Sequence, residues 1–317
     1  MNSLRMIDLH CDTLTKCPVC PGSYPNTLDN PSNQIALSKV PTNATWAQMF
    51  AIFVPDDKRG QNAIDYFDYY VKSFYAQAEL NADRFQTCRT FSDLTNAFSR
   101  NKLAGILTVE GGCVLAGRME RVQALAQDGV KLLTLVWNGE NEIGSGHDTE
   151  KGLTTFGKAV IPELEAHNII IDTSHLNDAG FEDLFQLAKK PFVASHSNAR
   201  AIASHKRNLP DAFIHEISTR GGLIGLNFHM PFLNDNCTTD SFDNILRHVY
   251  HFLEQGAENA LCLGSDYDGS TISPCLGSVE KAFAIRDYLI AHGISIHTVD
   301  GIMFENAYHF FEKNLRT

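Results

Sequence analysis

Ile169-Ile170-Ile171-Asp172-Thr173-Ser174-His175 is a short β-branched run that stops on a residue able to bind a metal. Eight such apolar runs cross the chain: Met6–Leu9, Ala47–Val54, Ala104–Val109, Val130–Val136, Asn168–Asp172, Phe192–Ala194, Leu223–Asn227 and Ala260–Leu263. Most end on ligand-type side chains. His10 and Asp12 follow the first, Glu110 the third, His175 the fifth, His196 the sixth and Asp266 the eighth. A strand side chain has little freedom, so a ligand at a strand end is held where the backbone puts it. Ligands at the same end of several strands converge, which predicts a metal site on the C-terminal face of a barrel of parallel strands.

Segments of helical periodicity lie between the runs. Asn62–Arg84 carries Ile64, Phe67, Tyr70, Val71, Phe74 and Ala78 at mostly three- and four-residue steps. Phe91–Asn101, Met119–Asp128, Thr155–His167, Asp178–Lys189, Ala212–Arg220, Ser241–Gln255, Val279–His292 and Thr298–Asn314 read the same way, with helix starts expected at Asn177-Asp178 and Ser278. Strands alternating with helices imply parallel βαβ units, and eight of them close a (β/α)8 TIM barrel. At 317 residues the chain fits one such domain, 1–317, since the barrel needs roughly 250. Two stretches break the rhythm: 16–45, rich in Pro, Asn, Ser and Thr, and 138–154, rich in Gly, Glu and Asp. Both follow strands, so both are expected on the catalytic face as lid loops or substrate walls.

A hydrophobic share of 44% and a charged share of 20% are those of a globular protein. A net charge of -11 argues against nucleic acid and against an anionic membrane as partner. The chain has no apolar run of membrane-spanning length and no signal-like stretch before His10, so a cytoplasmic protein is expected. Cys17-Pro-Val-Cys20 is a lone CxxC without a second pair and reads as ordinary loop cysteines.

Side chains two apart on a strand share a side, so His10 and Asp12 can grip one cation. Glu110 precedes Gly111-Gly112, has room around it, and has two oxygens that could bridge two metals. His175 and His196 each follow a serine and suit a borderline metal such as zinc. A carboxylate beside a metal-bound water can take and return its proton. Asp266 is preferred for that role over Asp268, whose following Gly269 marks a turn residue. Arg207 is a substrate anchor by charge, since a guanidinium matches a carboxylate bidentately, although position alone does not select it over Arg200 or Lys206.

DLHCDT at 8–13, TVEGG at 108–112, IIIDTSHLN at 169–177, VASHSNAR at 193–200, RNLPD at 207–211 and LGSDYDG at 263–269 together resemble the membrane dipeptidase (renal dipeptidase) family of metallopeptidases. The blocks follow the family's order over nearly the whole chain. The resemblance implies an amidohydrolase-like barrel with two zinc ions: His10, Asp12 and Glu110 on one, Glu110, His175 and His196 on the other. It also implies Asp266 as acid/base, Arg207 on the substrate's terminal carboxylate, and dipeptides as substrates, in some members with a D-residue second or a β-lactam ring. Homodimers are common in the family. One departure stands out. Mammalian members end the fourth strand with a histidine that contacts substrate, whereas here Trp137-Asn138 stands in that place, as in bacterial-looking members. Both are expected to line the substrate site, Trp137 as an apolar wall with one hydrogen-bond donor. The mammalian signal peptide and lipid-anchor tail have no counterpart in the sequence.

The expectation is a binuclear zinc dipeptidase acting on a small peptide. A binuclear-metal amidohydrolase acting on a non-peptide amide, lactone or N-acyl amino acid is the alternative. A non-enzymatic scaffold with a vestigial pocket fits poorly, because the ligand-type positions are all filled.

Overall fold

In the computed structural model, residues 4–16, 28–236 and 241–316 are described. Nine strands form one sheet: β1 Leu4–Cys11, β2 Ala44–Phe53, β3 Phe85–Thr87, β4 Leu103–Glu110, β5 Leu132–Thr134, β6 Ile170–Asp172, β7 Val193–Ala194, β8 Leu223–Leu226 and β9 Leu261–Leu263. Every pairing is parallel, β1 lies between β9 and β2, and a β2–β4 pairing closes the ring. The result is a closed eight-stranded parallel barrel with helices around it, as the alternation of runs predicts.

β3 is an addition: it falls between the expected helices Asn62–Arg84 and Phe91–Asn101, where no strand is expected. The helix there spans Gln61–Leu80, four residues short of the expected Arg84, and the chain then turns into Phe85–Thr87. This strand pairs with the first residues of β4, Leu103–Gly105, while β5 takes the upper part, Thr108–Glu110. Gly105 makes the room: a Cβ there would meet the Phe85 ring at 2.0 Å. Several barrel strands are shorter than their apolar runs, because parallel pairing lasts only where the twisted neighbours stay in register. The Val130–Val136 run pairs over Leu132–Thr134 and the Phe192–Ala194 run over two residues.

Local signals set the helices. Asn177 caps Asp178–Leu187 by accepting from the Gly180 N–H, and Thr90 forms a capping box with Asp93. Ser278 precedes Val279–Ala291 without a side-chain cap bond. The C-terminal helical stretch, Ile296–Asn314, runs through a π-helical turn at Gly301–Glu305. Its Phe304, Phe310 and Phe311, with Leu315 just beyond it, join the cluster of Ile7, Ala104, Ile106, Leu132, Ile170 and Leu223 from the barrel strands. That apolar plug closes the end where the strands begin. Among the described residues no helix is long and apolar enough to cross a membrane.

Residues of 138–154, and Gln34 and Ile35 of the first segment, reach the other end. Residues 138–154 are pinned: Gly139 N–H donates to Asp56, Asn177 donates to Thr149 O and Lys151 O, and Leu153 N–H donates to Asp183. They stand as a wall. In the first segment, residues 17–27, with Cys17 and Cys20, lie outside the described residues. The described part, from Leu28 on, packs Ile35 and Leu37 inward, and its Gln34 and Ile35 N–H groups donate to Asp268.

Candidate metal centre

The first strand delivers His10 and Asp12, β4 delivers Glu110, and the segments just past β6, β7 and β9 deliver His175, His196 and Asp266. All six are buried, with no residue more than 8% exposed. His10 Nε2 lies 3.3 Å from Asp12 Oδ2, 3.7 Å from Glu110 Oε2 and 4.0 Å from Asp266 Oδ1. The other Glu110 oxygen, Oε1, lies 2.7 Å from His175 Nε2 and 3.4 Å from His196 Nε2. Glu110 thus turns one oxygen to each half of the cluster. The rings of His10 and His196 stack at 3.9 Å, which joins the halves into one body.

Hydrogen bonds on the far side of two rings settle which nitrogen faces inward. His175 Nδ1 is 2.8 Å from Asn138 Oδ1, an acceptor, so Nδ1 carries the proton. His196 Nδ1 is 2.7 Å from Ser195 Oγ, and that hydroxyl donates onward to Asp172 Oδ2 at 2.6 Å, so here too Nδ1 is the protonated nitrogen. The two Nε2 lone pairs therefore face one another at 3.1 Å, with Glu110 Oε1 beside them. Three lone-pair donors at such distances repel unless a proton or a metal cation sits among them.

Other observations agree that the residues fit a metal. His10, Glu110 and His196 form one group whose ligand atoms all lie within 4.8 Å of one another, and His10, Asp12 and Asp266 form a second. Asp12 Oδ1 is buried without a hydrogen-bond partner, a costly state for a carboxylate oxygen that a cation relieves. A Cβ at Gly269 would lie 1.9 Å from Asp12 Oδ2 and 2.7 Å from Asp266 Oδ1, so only glycine leaves that space open. Imidazoles mixed with carboxylates are the donor set of zinc and similar borderline ions.

The electrostatics of the cluster without a cation are uneven. Burial opposes a charge on His10, yet the Asp12 and Glu110 carboxylates outweigh it and hold the imidazole up to about 10. Burial, with Asp12 nearby, drives the Glu110 carboxyl well above its usual range. Burial holds His175 and His196 well below the usual imidazole value, with Arg207 and His10 adding to it. Burial also lifts Asp266 to about 6, against the pull of His10 and with Asp12 adding to the rise. Asp266 Oδ2 accepts from Asn227 at 3.2 Å. Asp268 is engaged elsewhere, by Thr13 at 2.7 Å and by Gln34 and Ile35 N–H groups, as a turn residue with φ 67°.

Arg207 is 4% exposed, with Nη1 3.1 Å from Ser197 Oγ, Nη2 3.3 Å from His196 O, and Nε unpartnered. Its guanidinium lies 5.5 Å from the centre of the Phe232 ring, so it stands behind the cavity wall. Arg200 is spent on Asp178 at 2.7 and 2.8 Å, and Lys206 reaches outward to Glu150. Burial beside the cluster is what singles out Arg207. Burial lowers its pKa to about 10, with Glu110 and Asp266 resisting.

A cavity of about 680 Å³ opens over Asp12, Glu110, His175 and Asp266. Trp137 and Asn138 line it, and Trp137 packs edge-on against Phe53 at 4.9 Å. Asn138 spends its side-chain oxygen on His175. Sequence reasoning missed the opposite wall, where His147, His205, His229 and Phe232 gather. The three histidines come from separate loops, Phe232 comes from the short helix Met230–Leu233, and they carry no local spacing signal; only the placement of His205 two residues before Arg207 hints at it.

Solved structures like this one in shape include a metallopeptidase from Rhodobacter sphaeroides liganded with a phosphinate mimic of the dipeptide L-Ala-D-Ala. It is 24% identical, with a TM-score of 0.91 over 99% of this chain and 100% of that one. A dipeptidase described as a metallopeptidase of family M19 is 25% identical, with a TM-score of 0.89 over 99% of both chains. In sequence, an uncharacterized protein in the pqqA 5' region of Klebsiella pneumoniae is 32% identical over 237 residues, 71% of this chain and 88% of that protein. The family model of the membrane dipeptidases, peptidase family M19, matches residues 1–315. The chain with these six ligand-type residues at its strand ends and this barrel belongs to the membrane dipeptidase family.

Proposed function

We propose that the protein is a zinc-dependent dipeptidase that holds two ions, with Glu110 between them. The observation that carries this reading is the division of the Glu110 oxygens, Oε2 toward His10 and Oε1 toward His175 and His196. His10 and Asp12 complete one half; His175 and His196 complete the other. Such ions supply the Lewis acidity that polarises a scissile carbonyl and acidifies the attacking water near neutral pH.

The chain's own groups do the rest. Asp266 accepts the proton of the attacking water and returns it to the leaving nitrogen. Its Oδ1 stands 4.0 Å from His10 Nε2 and its Oδ2 accepts from Asn227, which leaves Oδ1 to meet the water. Arg207 recognises the free C-terminal carboxylate, which limits the substrate to short peptides. The Phe232 ring, 5.5 Å from the guanidinium, flanks the approach of that carboxylate. The N-terminal residue then lies on the other side of the cluster, against Phe53, Tyr66 and Trp137. Asn138 serves the same reaction by orienting His175.

The test supplies zinc and compares an L-L dipeptide, an L-D dipeptide and a tripeptide. Hydrolysis of a dipeptide with little of the tripeptide is expected. Turnover of an N-acyl amino acid or lactone instead moves the protein to another amide-hydrolysing role. No turnover of any dipeptide by zinc-loaded protein rejects the proposal.

A further inference from the structure

Two carboxylates, Asp8 on β1 and Asp172 at the end of β6, lie deeper in the barrel than the site and do not line its cavity. They are 1% and 0% exposed. Each reaches to the neighbouring strand and grips the serine that immediately precedes a site residue. Ser265, before Asp266, donates its N–H to Asp8 Oδ1 at 2.8 Å and its hydroxyl to Asp8 Oδ2 at 2.5 Å. Ser195, before His196, donates its N–H to Asp172 Oδ1 at 2.8 Å and its hydroxyl to Asp172 Oδ2 at 2.6 Å. The two grips have the same atoms and nearly the same lengths, on two strand pairs with β8 between them. Asp172 takes two donors more, the Ser174 N–H at 3.0 Å and the Thr134 hydroxyl at 2.6 Å.

Two residues that follow serines bonded to these carboxylates have left-handed backbone. His175, after Ser174, has φ 72°, and Asp266, after Ser265, has φ 61°. A left-handed residue other than glycine is strained and persists where its surroundings hold it. The third site residue, His196, is held through its ring, which donates to Ser195 Oγ. The barrel makes room for that serine at two glycines, since a Cβ at either Gly225 or Gly264 would lie 1.9 Å from Ser195 O.

We propose that Asp8 and Asp172 are positioning residues, a matched pair of braces that hold the strained backbone of Asp266 and His175 and fix His196 in the tautomer whose Nε2 is free for a metal. This rests on the metal-ligand reading above. The chemistry of Asp172 makes it specific. Its two oxygens accept from two backbone N–H groups and two hydroxyls. An asparagine has one acceptor oxygen, which must stay with the backbone N–H groups, since those cannot turn away. Its amide N–H then points at Ser195 Oγ. That hydroxyl turns its proton to His196 Nδ1 at 2.7 Å, nearer than Ser174 Oγ at 3.3 Å, and the imidazole proton moves to Nε2, where it blocks the lone pair.

The experiment uses the full chain. Long-range proton–nitrogen correlation spectra of the histidine-labelled, chelator-stripped protein report the tautomer, with His196→Asn assigning the signal. Wild type is expected to protonate Nδ1, Asp172→Asn to protonate Nε2, and Ser195→Ala, which keeps the backbone grip, to show a mixture. Zinc titration against a competing chelator is expected to show one ion bound about 10- to 100-fold more weakly in both variants and the other unchanged. Asp8→Asn is expected to lower kcat about 10-fold or more with KM and zinc content kept. An unchanged His196 tautomer in both Asp172→Asn and Ser195→Ala, or wild-type zinc affinity in both, overturns the proposal. If Asp172→Asn does not fold, Ser195→Ala decides alone. If wild-type protein binds no zinc, the metal reading fails while the tautomer comparison still decides the brace.

Discussion

Where the barrel strands end, His10, Asp12, Glu110, His175, His196, Asp266 and Arg207 are buried within reach of one another. Where the same strands begin, Phe304, Phe310, Phe311 and Leu315 cover Ile7, Ala104, Ile106 and Leu132. The first end crowds lone pairs and carboxylates together and leaves Asp12 Oδ1 without a partner. The second buries hydrocarbon. Stability therefore comes from the closed end, and the open end draws on it until a cation balances its charges. Substitutions at the two ends should separate activity from stability.

The largest effect is expected at Glu110. Glu110→Gln should lower kcat/KM by at least about 1,000-fold and release metal, because both halves of the cluster lose a ligand. The melting temperature of the metal-free protein should hold or rise, since a buried carboxylate among like charges is gone. A clear fall in that temperature would break the comparison. Asp266→Asn is next: kcat should fall about 100- to 1,000-fold with zinc content unchanged by elemental analysis. At the closed end, Phe311→Ala should cost about 3–5 kcal/mol in denaturant unfolding. The kcat of the molecules still folded should stay at the wild-type value.

The smallest effect concerns His248, a buried imidazole outside the cluster. Its Nδ1 accepts from the Ala199 N–H and its Nε2 faces Leu233 O, both at 3.2 Å, so it is held neutral. Burial depresses it to about 4 from an ordinary 6.5. The unfolded chain then binds the proton more readily than the folded one. This group costs nothing above pH 6.5 and removes stability as pH falls from 6.5 toward 4, at most about 3 kcal/mol. Unfolding free energies of wild type and His248→Gln across that range should converge toward acid pH. Parallel curves would show that the acid loss arises in the cluster instead.

The barrel was legible because its strands are short, apolar and rich in β-branched residues, and because ligand-type residues follow them at one end. β3 was not: Phe85–Thr87 is a three-residue strand after the turn that ends the helix Gln61–Leu80, and it takes its place from the gap at Gly105. Asp8 and Asp172 stand in the sequence as isolated acids in apolar runs. Nothing local shows that each meets a serine on a neighbouring strand. The cavity wall of His147, His205 and His229 was likewise invisible, since its members are far apart in the chain. The choice of Arg207 over Arg200 and Lys206 also waited on burial, because the three are equivalent by charge.

Residue types and the period of the pattern determined the parallel barrel and the identity of the ligand-type residues, because a strand end leaves a side chain little choice of direction. Tertiary structure alone decided how Glu110 divides its oxygens, which imidazole nitrogens face the centre, and what holds His175 and Asp266 in left-handed backbone. Each of those depends on a partner from a different strand, and the meeting of strands distant in sequence is settled only when the barrel closes.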